Sequence, residues 1–318
     1  MITQKVTDKK LAWDSKTLRC RDCKVRLGPE SIASLESLVR KIQVDAEGRL
    51  LGKFSTSDFP ALARQVQEGV KTYLDQGPGV LTFQGLRESR IPKDQWKVAY
   101  RILTEFIGEV IQQDKHILEM KEVTDRGLTL AQGGARYSDT RYGGGTHTDG
   151  AERPMSLVPD YFGLVCIHQA LEGGALQIMS AYSIHNKLLE TNPEALKTLY
   201  QPFHFDLRGD LIDGKKTAAK PIFFEKDGKL GITYLGDYVR YGHAYEGVPP
   251  LTAAQEAALD ALDKILGDEE LIAQDYQEPG EIIFINNLMI VHARTTFQDH
   301  PDPDRKRSLY RTWIRKKA

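Results

Sequence analysis

Pro279-Gly-Glu-Ile-Ile-Phe-Ile-Asn-Asn-Leu-Met-Ile-Val-His-Ala-Arg294 is the stretch from which the fold is read. A Pro-Gly turn is followed by two short apolar runs, about Glu281–Phe284 and Met289–Ala293, that read as strands. His292 sits near the end of the second. Upstream, Tyr161-Phe-Gly-Leu-Val-Cys-Ile-His168 is strand-like, Gly173-Gly174 turns the chain, and Ala175 to Ser180 returns. Lys220 to Leu235 reads as a hairpin around Lys226-Asp-Gly-Lys229, and Arg307 to Ile314 as a last strand.

Helical signals surround this set. Residues 29 to 42 place Ile32, Leu35, Leu38 and Ile42 at helical spacing. Further helices are expected over Phe59–Leu74 and about Lys93–Ile111, with one strand, Gly79–Leu86, between them. Asn192-Pro193 opens a short helix over Glu194–Tyr200, and Thr252-Ala-Ala-Gln255 is a capping box for another that stops at Gly267. Helices followed by antiparallel strands with one helical insertion predict an α+β unit built on a β-sandwich or jelly roll.

The whole chain of 318 residues balances 43 Lys+Arg against 44 Asp+Glu, which gives no case for a polyanion partner. No apolar run approaches the roughly 18 residues of a membrane span. The polar stretch Met1–Lys10 lacks the apolar core of a secretory signal, so a cytoplasmic protein is expected. Three cysteines are too few for a disulfide framework. Cys20 and Cys23 form a C-x-x-C, but no second pair and no histidine before His116 completes a zinc site. Cys166 reads as core packing.

Of eight histidines, His116, His168, His185, His204 and His243 carry no partner pattern and read as packing or surface residues. His300-Pro-Asp302 lies in a proline-rich loop. His147-Thr-Asp149 is different, because it enters an expected strand, where residues i and i+2 face one side. An imidazole and a carboxylate so placed are two ligands of a 2-His-1-carboxylate site, which leaves three positions of Fe(II) open. His292 is the candidate for the third. On the final strand, one face carries Arg307, Leu309, Arg311, Trp313 and Arg315. Were that face interior, its guanidiniums would need anions, since a buried unpaired charge costs several kcal/mol. A basic edge strand facing solvent is the alternative.

Together, Thr146-His-Thr-Asp-Gly150, Gly173-Gly174, Val291-His-Ala-Arg-Thr-Thr-Phe297 and Arg307-x-x-x-Arg311-x-Trp313 resemble the Fe(II)/2-oxoglutarate-dependent oxygenases of the taurine/2,4-D dioxygenase-like group, which includes clavaminate synthase. The resemblance runs from about Gly79 to the end. It implies a double-stranded β-helix (jelly roll) core with flanking helices. It also implies one oxygenase domain over 1–318: a helical part to about 78, then the core from 79, with the helical insertion around 181–270. Fe(II) would be held by His147, Asp149 and His292, and the far carboxylate of 2-oxoglutarate by Arg307. Arg311 would reach substrate or pair internally with an acidic residue. One departure stands out: the group's Thr or Ser two residues after Gly-Gly is Leu176 here, leaving Gln177 or Ser180 to substitute.

The implied reaction couples O2 and 2-oxoglutarate decarboxylation to hydroxylation, desaturation or cyclisation of a small, carboxylate-bearing molecule. Rival readings are a nucleic-acid or protein oxygenase of the superfamily, and a catalytically silent metal-binding or interaction protein of the same fold. No nucleic-acid or membrane partner is expected.

Overall fold

A computed structural model describes residues 1–113, 118–128 and 137–317; His116 lies outside them. Among these residues, ten strands build the two principal sheets: β1 (Lys24–Arg26), β2 (Val80–Gln84), β3 (Gly108–Ile111), β4 (Met120–Val123), β5 (Tyr161–His168), β6 (Leu176–Ser180), β7 (Ala273–Asp275), β8 (Ile282–Asn286), β9 (Ile290–Arg294) and β10 (Ser308–Lys316). The larger sheet runs β1-β2-β8-β5-β10-β3, with β4 also on β10. Only β1 and β2 pair in parallel. The smaller sheet, β7-β6-β9, is antiparallel throughout, and His147 joins it through one bridge to His292.

The unbroken apolar run of β8 has a structural reason. Ile282 and Phe284 belong to a core shared with Leu35, Leu62, Val66 and Tyr100 of helices α1 (Pro29–Val39), α2 (Pro60–Gly69) and α3 (Trp96–Glu105). Ile283 and Ile285 face the other core, with Val291, Leu188, Phe203 and Leu259. A strand buried on both faces loses the polar alternation of a half-exposed one. That second core rests on α4 (Ala181–Thr191), α5 (Pro193–Leu199) and α6 (Ala253–Leu266).

The insertion is helical only in part. It also holds two antiparallel pairs, Pro202–Asp206 with Thr217–Pro221 and Phe223–Lys226 with Lys229–Ile232. The latter is the expected hairpin, its turn made by Asp227 and Gly228, both at positive φ (53° and 72°). The Thr252–Gln255 capping box and the Asn192 cap are both present. The helix expected to reach Ile111 instead ends at Glu105, and the residues after it become β3 on β10. Gly108 permits this, since a Cβ there would lie 2.3 Å from the Arg315 carbonyl oxygen. No helix among the described residues is long and apolar enough to cross a membrane.

Candidate active site

His147 and His292 exchange backbone hydrogen bonds in both directions, at 2.9 and 2.8 Å, so two distant segments present their imidazoles side by side. Their ring centroids lie 4.3 Å apart. Asp149 Oδ1 is 3.8 Å from His147 Nε2, and one ligand atom from each of the three residues fits within 4.8 Å. Among the described residues no other such cluster of His, Cys, Asp and Glu occurs.

The convergence does not come from a continuous strand, as period-2 reasoning expected. His147 makes one bridge and the chain turns at Asp149. The segment is pinned instead. Thr148 exchanges hydrogen bonds with the backbone of Tyr234. Asn287, in the β8–β9 turn, accepts from Asp149 N (2.8 Å) and donates to the Asp149 and Pro159 carbonyls.

Charge at the site suits a divalent cation. His147 Nδ1 lies 2.8 Å from the Gly145 carbonyl oxygen, which fixes the proton on Nδ1 and leaves Nε2 as a lone-pair donor. Burial, helped by the neighbouring His147, lowers the His292 pKa to about 3, so its ring is neutral at pH 7. Burial alone would raise Asp149. The Arg311 guanidinium, the two imidazoles and the Trp313 indole N–H outweigh it and hold the carboxyl below its usual range. Arg311 Nη1 donates to Oδ1 and Trp313 Nε1 to Oδ2, each at 2.8 Å.

Beside the triad lies a cavity lined by Phe162, Leu164, Leu176, Leu309, Arg294, Arg307 and Arg311. Arg307 is only 5% exposed, and its Nε and Nη1 have no hydrogen-bond partner among the described residues. Its guanidinium lies over the Phe297 ring, 5.1 Å from the centroid. Burial, then the nearby Arg294, lowers its pKa to about 10, so it stays cationic at neutral pH. Gly174 (φ 76°) makes room, since a Cβ there would lie 3.0 Å from Arg307 Nε. The last strand is therefore an interior one, not a basic edge.

Two expectations need correction. Ser180 is no ligand candidate, because its Oγ caps α4 and donates to the Leu11 carbonyl. Gln177 alternates with Leu176 along β6 and is not among the cavity residues. Arg311 takes the internal pairing that was one of its two expected roles: besides Asp149, its Nε donates to Gln113 Oε1 at 2.9 Å.

The bland readings of other residues hold. Cys20 and Cys23 are free thiols raised to about 11 and about 12 by burial, the reverse of a reactive pair. His185 is buried against Tyr200, His243 Nε2 accepts from the His204 backbone N–H, and His300 accepts from Asp302 N in its loop. Sequence reasoning missed Asn287, Gln113 and the carboxylate-holding role of Trp313. Only the last had a signal, the shared parity of Trp313 and Arg311.

Two imidazoles and one carboxylate, with an open cavity alongside, form a donor set that fits Fe(II). The desolvated Arg307, with unused donors, fits the far carboxylate of a small dicarboxylate.

The family model described as "Taurine catabolism dioxygenase TauD, TfdA family" matches residues 38–313. The chain belongs to the TauD/TfdA family. Like that family's members it is an Fe(II)/2-oxoglutarate-dependent dioxygenase, with Fe(II) as cofactor and 2-oxoglutarate as co-substrate. Among TauD/TfdA-like relatives, FR-33289 synthase of Streptomyces rubellomurinus (strain ATCC 31215) is 27% identical over 245 residues, covering 76% of this chain and 70% of its own. Taurine hydroxylase-like protein SAT17 of Stachybotrys chartarum (strain CBS 109288 / IBT 7711) is 34% identical over 154 residues, 46% of this chain and 38% of its own. The fold is similar to that of an asparagine oxygenase solved with Fe(II), hydroxyasparagine and succinate, with a TM-score of 0.66 at 16% identity, covering 92% of this chain and 93% of the other. The non-heme iron oxygenase OrfP, solved with Fe and α-ketoglutaric acid, gives the same four values.

Proposed function

We propose that this dioxygenase oxidises a small, carboxylate-bearing molecule, with His147, Asp149 and His292 holding the iron and Arg307 holding the far carboxylate of 2-oxoglutarate. The observation that carries the reading is the buried guanidinium of Arg307, with two unpartnered nitrogens in a cavity that also holds both histidines. In this reading the two sheets are the halves of a double-stranded β-helix, and the chain from 1 to 318 is one domain. The free cysteines go with a reducing, cytoplasmic setting.

Bound iron and 2-oxoglutarate supply O2 activation and the oxidising power for attack on a C–H bond. The chain supplies position. The Gly145 carbonyl orients His147, and Trp313 and Arg311 fix both oxygens of Asp149. Phe162, Leu164, Leu176 and Leu309 keep the cavity apolar, so the Arg307 charge is poorly screened and binds a carboxylate strongly. Arg311 Nη2 donates to no described residue, and Arg311 lines the cavity, which suits it to a substrate anion while Nη1 stays on Asp149.

The test is O2-dependent succinate release across a panel of amino-acid-like acids and their amides. Carboxylates are expected to stimulate release, and Arg311→Gln to raise their KM. Stimulation by the amides alone would sink the reading.

A further inference from the structure

Arg294 ends β9, two residues beyond His292 and directly across the sheet from Leu176 in register. It lines the same cavity as Arg307. Its Nη2 donates to the carbonyls of Thr140 (2.9 Å) and Tyr142 (2.5 Å). Its Nε is buried without a partner, and its Nη1 donates to no described residue. Both guanidiniums lie against Phe297, at 4.6 Å for Arg294 and 5.1 Å for Arg307. Neither makes an ion pair with a described carboxylate; Asp125 acts on Arg294 from a distance, and Asp299, which acts on both, bonds the Arg307 backbone N–H and leaves its other oxygen unpartnered.

Two cations that converge on one apolar cavity, neither in an ion pair with a described carboxylate, ask for a ligand with a fully charged end. Leu176 cannot donate a hydrogen bond there, and its cross-strand neighbour can. We infer that Arg294 is a second anchor for the far carboxylate of the 2-oxo acid, filling the place that Leu176 leaves without a donor. The inference rests on the function proposed above. Because the same side chain holds the Thr140 and Tyr142 carbonyls, Arg294 ties the co-substrate cavity to the loop that leads into His147.

Anaerobic calorimetric titration of the Fe(II)-loaded protein tests this. The probes are 2-oxoglutarate and 2-oxobutyrate, which keeps the 2-oxo acid head and lacks the far carboxylate. Arg294→Gln is expected to weaken 2-oxoglutarate binding about tenfold to a hundredfold, the range for a charge-assisted hydrogen bond. Binding of 2-oxobutyrate is expected to be unchanged. Leu176→Thr in the Arg294→Gln background is expected to recover part of the loss, which a purely structural role in the loop would not allow. Equal weakening for both acids, or no weakening for either, overturns the inference and leaves the proposed function standing. Failure of the wild-type protein to bind 2-oxoglutarate overturns both.

Discussion

Trp313→Phe isolates the hydrogen bond that holds the outer oxygen of Asp149. In the structure the indole Nε1 donates to Oδ2 at 2.8 Å, and the carboxylate is 3% exposed, so water cannot replace the donor. A hydrogen bond to a charged, buried group is worth about 1.5–3 kcal/mol. The smaller ring loses about 1 kcal/mol of packing in addition. The variant is therefore expected to unfold about 2.5–4 kcal/mol more easily in urea. A double-mutant cycle with Asp149→Asn separates the two contributions, because packing loss is common to both backgrounds. A coupling of about 1 kcal/mol or more is expected. Freed from one of its two donors, Asp149 is also expected to bind Fe(II) about 10- to 100-fold more weakly, the usual cost of removing a residue that orients a metal ligand. A coupling near zero together with unchanged Fe(II) affinity would refute the reasoning.

Arg307→Met removes a buried unpaired cation. It is expected to stabilise the protein by about 1–3 kcal/mol in urea without co-substrate, while abolishing 2-oxoglutarate binding; a destabilised variant would mean that the guanidinium is already paired. Gly174→Ala forces an alanine into positive φ and brings Cβ to 3.0 Å from Arg307 Nε, so a loss of about 1–2 kcal/mol and weaker 2-oxoglutarate binding are expected by thermal melting and titration. For His185, burial lowers the native pKa to about 4 from 6.5. The unfolded chain therefore takes up the proton first, and stability present above pH 6.5 is lost as pH falls toward 4. His185→Gln is expected to flatten the wild-type loss over that window, by up to about 3 kcal/mol.

The strands around the site were legible because burial shapes their sequence. Ile282–Ile285 is apolar on both faces, and β10 shows its Arg-Leu-Arg-Trp parity. Helix α4 was not, since it follows β6 without a Gly or Pro break and Ser180 serves both as strand end and as cap. Strand β3 looked like the end of a helix, and only its pairing with β10 makes it extended, an outcome local propensity cannot show. At the site, residue type and spacing named the three candidate ligands and Arg307. Of the partners that aim them, the Gly145 carbonyl and Asn287 in its turn carry no pattern along the chain. Arg311 showed why a charge read from sequence leaves its partner open: its parity with Arg307 placed it inside, but the carboxylate it meets is Asp149 itself.

His147, Asp149 and His292 are proposed to hold one iron beside the 2-oxoglutarate cavity. Anaerobic addition of Fe(II) and then 2-oxoglutarate, followed by visible absorption, tests it most directly. The wild-type protein is expected to develop the weak metal-to-ligand charge-transfer band, and His147→Ala and His292→Ala are expected to lack it. No band in the wild-type protein, or its persistence in both variants, would rule out iron at these three residues.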